Sequence, residues 1–211
     1  MSGHRDWVSA RVDVFWTEIA HKDHVLQLYK SDGVFLDALA GFVLEAFYSE
    51  ESAIVIATNA HLNALESRLK SYGFDIEKLI SEHKFVPLNA EETISEFMIN
   101  GVPDEATFKA VADKLFLDAG YGKRPVRVAG EGTALLWKHG HKDAALQLEQ
   151  LWHEFQKEKP HTLFCGYPEA MFENDVNAPL PVCNAHSKMI SGIEKQITHV
   201  SYSGIEQNQV F

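Results

Sequence analysis

Cys165, Cys183 and His186 are the residues of this sequence best suited to soft-metal chemistry. Cys183 and His186 form a Cys-x-x-His clip, which can present a thiolate and an imidazole to one ion. Cys165 would add a third ligand, for a metal or for haem, and His61 or Glu131 could supply a fourth. The competing reading is that cysteine is a commonly buried residue that packs as a small hydrophobe. A second set suits small-molecule binding: Tyr29, Asp32, Thr58, His61, Glu131 and Tyr167. The tyrosines join an apolar ring to a polar tip, and Glu131 can pair with a cation or accept a hydrogen bond. Here too a plainer reading stands alongside. Tyr29 fits a core tyrosine with one satisfied hydroxyl, and Glu131 fits an acid favoured by the dipole at the start of helix 132–139. His24 reads as structural, because it lies at the opposite end of its strand from Tyr29. Gly-x-Ser-x-Gly, His-Glu-x-x-His and Cys-x-x-Cys do not occur, so the usual hydrolase, zinc-protease and dithiol signatures are missing.

The elements that must position these residues alternate in period. His24–Tyr29, Ser52–Thr58, Lys84–Leu88, Pro125–Ala129 and Thr162–Tyr167 are short apolar runs that read as buried strands. Between them, apolar residues recur at spacings of three and four. Examples are Phe35, Leu39, Phe42, Val43 and Ala46, and later Phe108, Val111, Ala112, Leu115 and Phe116. Such spacing predicts helices. Ala90–Ile99 reads as a short helix closed by Asn100-Gly101, and Pro103-Asp104-Glu105 opens the next. His139-Gly140-His141 straddles a helix break. Val12, Val14 and Trp16 alternate like an edge strand, and the segment around Asn174, Asp175 and Asn177 reads as irregular.

Strands alternating with helices predict an α/β fold in three layers. The expected sheet is mostly parallel, with at least five strands and helices on both faces. The expected organisation is an N-terminal extension (residues 1–20), one domain (21–190) and a loosely held C-terminal tail (191–211) with room for one strand.

Ligands of open parallel sheets gather at the carboxyl ends of the strands, where the second set of residues emerges. A phosphate-binding loop would belong after the first of the five strands, and it needs several glycines and a Gly-Lys-Ser/Thr. This turn reads Tyr29-Lys30-Ser31-Asp32-Gly33. It has one glycine, and an acid stands where phosphate would sit. No Rossmann glycine fingerprint appears either.

Composition sets the outer limits. Of 211 residues, 45% are hydrophobic and 23% charged, as in an ordinary globular chain. The net charge of −11 disfavours sequence-independent binding to nucleic acid. Two cysteines, no secretory leader and no apolar run of membrane-spanning length point to a cytoplasmic protein.

Several segments together resemble the MEDS family, the methanogen/methylotroph DcmR-type sensory domain. They are His24–Tyr29, Ala53–Thr58 leading to His61, Val126–Glu131 followed by Ala134–Trp137, Leu148–Trp152, Phe164–Pro168 and Cys183–Ser187. The resemblance implies a RecA/KaiC-like fold without its P-loop and a sensory role. It also implies that Glu131 stands where a RecA-type enzyme places a metal- or water-directing carboxylate. The chain has no room for a helix-turn-helix or kinase module. Output would therefore pass to a separate signalling protein (a kinase, an anti-sigma factor or a DNA-binding regulator) or through a homo-oligomer. The expected function is non-catalytic sensing of a small ligand at the carboxyl edge. The alternatives are a degenerate nucleotide binder or residual ATPase, and a metal- or haem-binding sensor built on Cys165, Cys183 and His186. The cofactor is left open.

Overall fold

Parallel pairing needs a crossover between strands, and this chain supplies one after most of its strands. The computed structural model describes residues 7–10, 16, 19, 22–172, 179–193 and 196–203. In chain order the elements are β1 (Trp7–Ala10), β2 (His24–Tyr29), α1 (Asp32–Tyr48), β3 (Ser52–Ala57), α2 (Asn59–Ser71), α3 (Ile76–Ser81), β4 (Phe85–Asn89) and α4 (Ala90–Ser95). Next come β5 (Met98–Ile99), β6 (Val102–Pro103), α5 (Glu105–Asp118), β7 (Val126–Gly130), α6 (Gly132–Lys138) and α7 (Lys142–Glu158). The last are β8 (Thr162–Pro168), α8 (Pro179–Ala185), β9 (Lys188–Ile193) and β10 (Gln196–Ser203).

The main sheet runs β1-β10-β9-β2-β8-β7-β3-β4. The six strands from β9 to β4 are all parallel, and β10 and β1 extend the β9 edge antiparallel. Alternation along the central strands divides the core in two. Val25, Val55, Ala129 and Phe164 face a layer containing α1, α2 and α3. Leu26, Ile54, Ile56, Val128, Leu163 and Cys165 face α4, α5, α6, α7 and α8. The result is the three-layer α/β fold expected from the sequence.

At the amino end of the sheet, Glu51 and Arg127 form a buried ion pair. Arg127 Nη1 also donates to the Trp16 carbonyl at 3.3 Å. This clasp fixes β3 against β7 and ties Trp16 to the face of α1.

Of three local expectations, the first needs correction. The helix opened at Ala90 stops at Ser95. Beyond it, Met98–Ile99 pairs with Val102–Pro103 as a hairpin across Asn100 and Gly101, which have φ of 53° and 82°. Two left-handed residues in a two-residue loop form a hairpin turn, so Asn100-Gly101 joins two strands instead of closing a helix. The C-terminal stretch, expected to be a loosely held tail with room for one strand, is strand wherever residues beyond 190 are described. It forms β9 and β10, and β9 lies directly beside β2 and crosses position 190. The N-terminal strand is Trp7–Ala10, while Val12, Val14 and the irregular segment at Asn174, Asp175 and Asn177 lie outside the described residues. The short helix α3 had no counterpart in the sequence reading. No described helix is long and apolar enough to cross a membrane.

Candidate functional site

Two polar clusters stand out, one on each face of the sheet. The first lies at the carboxyl edge. Strand β3 delivers Thr58, which caps α2 by accepting the His61 amide at 3.3 Å. That cap fixes the first turn of α2 and so places the His61 ring over the edge. Strand β7 delivers Glu131, buried at the start of α6. One carboxylate oxygen accepts the Thr58 amide at 3.1 Å, and the other meets His61 Nδ1 at 2.6 Å. On the far side of the ring, exposed Asp32 comes within 3.7 Å of Nε2. The result is an Asp32–His61–Glu131 relay from solvent into the turn between β7 and α6.

Hydrogen bonding to Glu131 raises the His61 pKa against desolvation, and the charges of Glu131 and Asp32 raise it further. The pairing therefore stabilises the folded state fully below the unfolded imidazole pKa of about 6.5. The stabilisation is lost as pH rises through the higher folded value. Glu131→Gln should bring the His61 midpoint down toward the ordinary range in a proton NMR titration. An unchanged midpoint would show that this carboxylate does not control the ring.

Tyr29 also sits here, buried and stacked on Phe35 with ring centroids 4.8 Å apart. Burial, with the Glu131 and Asp32 charges, drives its hydroxyl pKa upward. Phe35 lies 5.3 Å from the His61 ring. These side chains fill the space beside the β2–α1 turn.

Tyr167 does not join this group. Its side chain points to the opposite face of the sheet and is fully buried there. Its hydroxyl donates to Glu149 Oε1 at 2.6 Å. Residues along a strand alternate faces, so a residue near a strand end can miss the edge pocket altogether.

Glu149 is the centre of the second cluster, with His24, Cys165 and His186 around it. All four are buried, and their ligating atoms lie within 4.8 Å of one another. His24 Nε2 is 3.3 Å from Cys165 Sγ and 3.4 Å from Glu149 Oε2. His186 Nε2 is 3.7 Å from the same oxygen. The His186 ring is fixed by Nδ1, which donates to the Val182 carbonyl at 2.7 Å. Among the described residues, its Nε2, like His24 Nδ1, has no hydrogen-bond partner.

Burial drives the His186 pKa down to about 3. Burial would raise the Glu149 carboxyl. The adjacent His186 and His24, with the hydrogen bonds from His24 and Tyr167, outweigh it and hold the group low. Burial, and then the Glu149 charge, push the Cys165 thiol well up.

Sequence spacing grouped Cys165, Cys183 and His186, whereas the structure groups Cys165 and His186 with His24 and Glu149. Cys183 is outside the cluster; its carbonyl accepts the His186 amide at 3.2 Å. His61 and Glu131, considered as a fourth ligand, belong to the carboxyl edge. Glu149 was missed because one acid on an amphipathic helix reads as solvated. The available signal was its place among Ala145, Leu148 and Trp152, which are all buried.

A cavity opens on the second face, with about 30 Å³ accessible to the centre of a water-sized sphere. Ile94, Phe97, Phe108, Ala112 and Trp152 line it, together with Cys165 and with Gly130, Gly132 and Thr133 around the β7–α6 turn. Glu131 lies between those glycines and faces the other way, to His61. The turn therefore separates an apolar cavity from the polar relay.

The sequence model of the MEDS family, described as the MEthanogen/methylotroph, DcmR Sensory domain, matches residues 23–186. No curated protein matches the chain. Among solved structures, a KaiC-like protein from the hyperthermophilic archaeon Pyrococcus horikoshii is similar with a TM-score of 0.55 at 13% identity. The match covers 86% of this chain and 77% of that one. An uncharacterized protein from Pyrococcus horikoshii, solved in complex with an unknown peptide, is similar with a TM-score of 0.62, also at 13% identity. That match covers 86% of this chain and 83% of its own. At such identities the likeness shows the fold, which is KaiC-like.

Proposed function

The chain belongs to the MEDS family of sensory domains, and from that premise we propose that it senses a small, largely apolar molecule without catalysis. The ligand occupies the cavity beside α4 and α5. The carboxyl-edge residues Tyr29, Asp32, Thr58, His61 and Glu131 form the polar side of the same device. The observation that carries this reading is the turn Gly130–Thr133, which borders the cavity on one side and holds Glu131 against His61 on the other. A ligand that prefers one position of the turn shifts the relay by that preference and no more. Asp32 is exposed at the end of the relay and is the natural point of contact for a separate partner protein.

A triphosphate reading has less behind it. The turn after β2 is short of glycine, Asp32 would repel phosphate at the α1 N-terminus, and Phe35 fills the adjoining space.

Thermal denaturation of the full chain with methanol and with ethanol, the smallest probes for a cavity of about 30 Å³, tests the proposal. At one hundred times its Kd, a bound molecule should add about 2.7 kcal/mol of stability. Ala112→Leu, which fills the cavity, should abolish that shift, and the His61 ring resonance should move on binding only in the wild type. Absence of any shift, with saturable heat from Mg-ATP instead, would overturn the reading in favour of a nucleotide binder.

A further inference from the structure

The second cluster approaches the geometry of a closed metal centre, with all four ligand atoms within 4.8 Å of one another. A tetrahedral zinc site has ligand bonds of about 2.0–2.3 Å, so its ligand atoms stand about 3.3–3.8 Å apart. The His24–Cys165, His24–Glu149 and His186–Glu149 separations are 3.3, 3.4 and 3.7 Å. The Cys165–Glu149 separation is 3.9 Å, one tenth beyond that range. Nitrogen, sulfur and oxygen donors in this ratio suit a borderline cation and would not hold calcium or magnesium, which take oxygen.

Outer contacts orient two of the four ligands, His186 and Glu149, as metal sites require. The Val182 carbonyl takes the Nδ1 proton of His186 and leaves Nε2, buried and unpartnered, facing Glu149. Tyr167 occupies Oε1 of Glu149 and leaves Oε2 free to bind. Charge also matches. A carboxylate, a thiolate and two neutral imidazoles sum to −2, which a divalent cation cancels in a place where a net charge is costly. Among the described residues, Glu149 lies within ion-pair reach of the two histidines.

We propose that His24, Glu149, Cys165 and His186 bind one zinc ion in a four-coordinate site. Four protein ligands leave no open position, which marks a structural or regulatory ion and not a catalytic one. The ligands come from β2, α7, β8 and the residue just after α8. The ion would therefore pin α8 to the sheet and fix where the chain enters β9. Metal occupancy thus controls the C-terminal edge, and Cys165 joins the metal site to the wall of the cavity.

Elemental analysis of the full chain purified without chelator, with cobalt(II) titration of the metal-stripped wild type, tests this. The expected result is one zinc per chain. One equivalent of cobalt should give the intense visible bands of a tetrahedral ion and a thiolate-to-cobalt charge-transfer band. Cys165→Ser should lose the charge-transfer band, whereas Cys183→Ser should keep the whole spectrum. Tyr167→Phe, which removes only an outer contact, should weaken cobalt binding roughly 10- to 100-fold. Wild-type protein that carries no zinc and shows no cobalt bands overturns the proposal, whatever the variants do. A charge-transfer band that survives Cys165→Ser but not Cys183→Ser also overturns it.

Discussion

Replacing Glu51 by alanine should cost about 3–5 kcal/mol of stability, since removing one partner of a buried ion pair leaves the other charge stranded. For a chain of this length that is a fall in Tm of about 6–20 °C. The stranded group is Arg127, 2% exposed. Its remaining contacts would be the Trp16 carbonyl at 3.3 Å and the Phe42 ring, 5.6 Å from the guanidinium carbon. Neither carries a formal charge. The loss should also loosen Trp16, which packs edge-on against Phe42 and Phe164 at 5.2 Å each. A double change, Glu51→Leu with Arg127→Met, should recover most of the stability, because exchanging a buried pair for apolar groups of similar volume is often neutral. Urea denaturation of the single and double variants measures both. A Glu51→Ala midpoint within the range of a surface change, about 0.5 kcal/mol, would show that the guanidinium finds water or another anion.

The contrast between this clasp and the strands beside it shows what a sequence can disclose. The strands β2, β3, β7 and β8 were legible because each is buried on both faces, so an apolar run marks it directly. β9 was not legible. Ser191 and Gly192 interrupt its apolar run, and what makes it a strand is its pairing with the neighbouring β10 and with β2, which is far away in the chain. The same limit governs the sites. Thr58, His61 and Glu131 follow strand ends, and parallel topology alone brings strand ends to one edge. The His24–Glu149–Cys165–His186 cluster depends instead on which face each side chain takes and on how α7 rotates against the sheet. Cys183 and His186 are three apart, so spacing suggested a clip. Glu149 and His24 are 125 positions apart, and no local pattern joins them. Tyr167 was assigned to the edge by position along its strand, and the pleat sends it to the other cluster.

Phe35→Ala should be the second large effect, about 3–5 kcal/mol for emptying a buried aromatic site, and its partner in the argument is a glycine. Phe35 is 1% exposed and lies flat over β8. A Cβ built at Gly166 would fall 2.3 Å from Phe35 Cε2 and 2.8 Å from Cδ2, so only glycine lets the ring reach this position. Gly166→Ala alone should therefore destabilise by about 1–3 kcal/mol through overpacking. In the Phe35→Ala background the added methyl meets empty space, and the clash disappears. The two changes should be strongly non-additive, with the double variant more stable than the sum of the singles implies. The pair also bears on function. Phe35 fills the space beside the β2–α1 turn, with Tyr29 stacked on it and His61 near its edge. Emptying it should create an apolar hole, and benzene should restore part of the lost stability, as it binds other engineered apolar cavities. Rescue by Mg-ATP instead would mean that the edge retains a phosphate grip once unblocked. Strict additivity of the two changes would mean that Phe35 has another resting place and does not plug the edge.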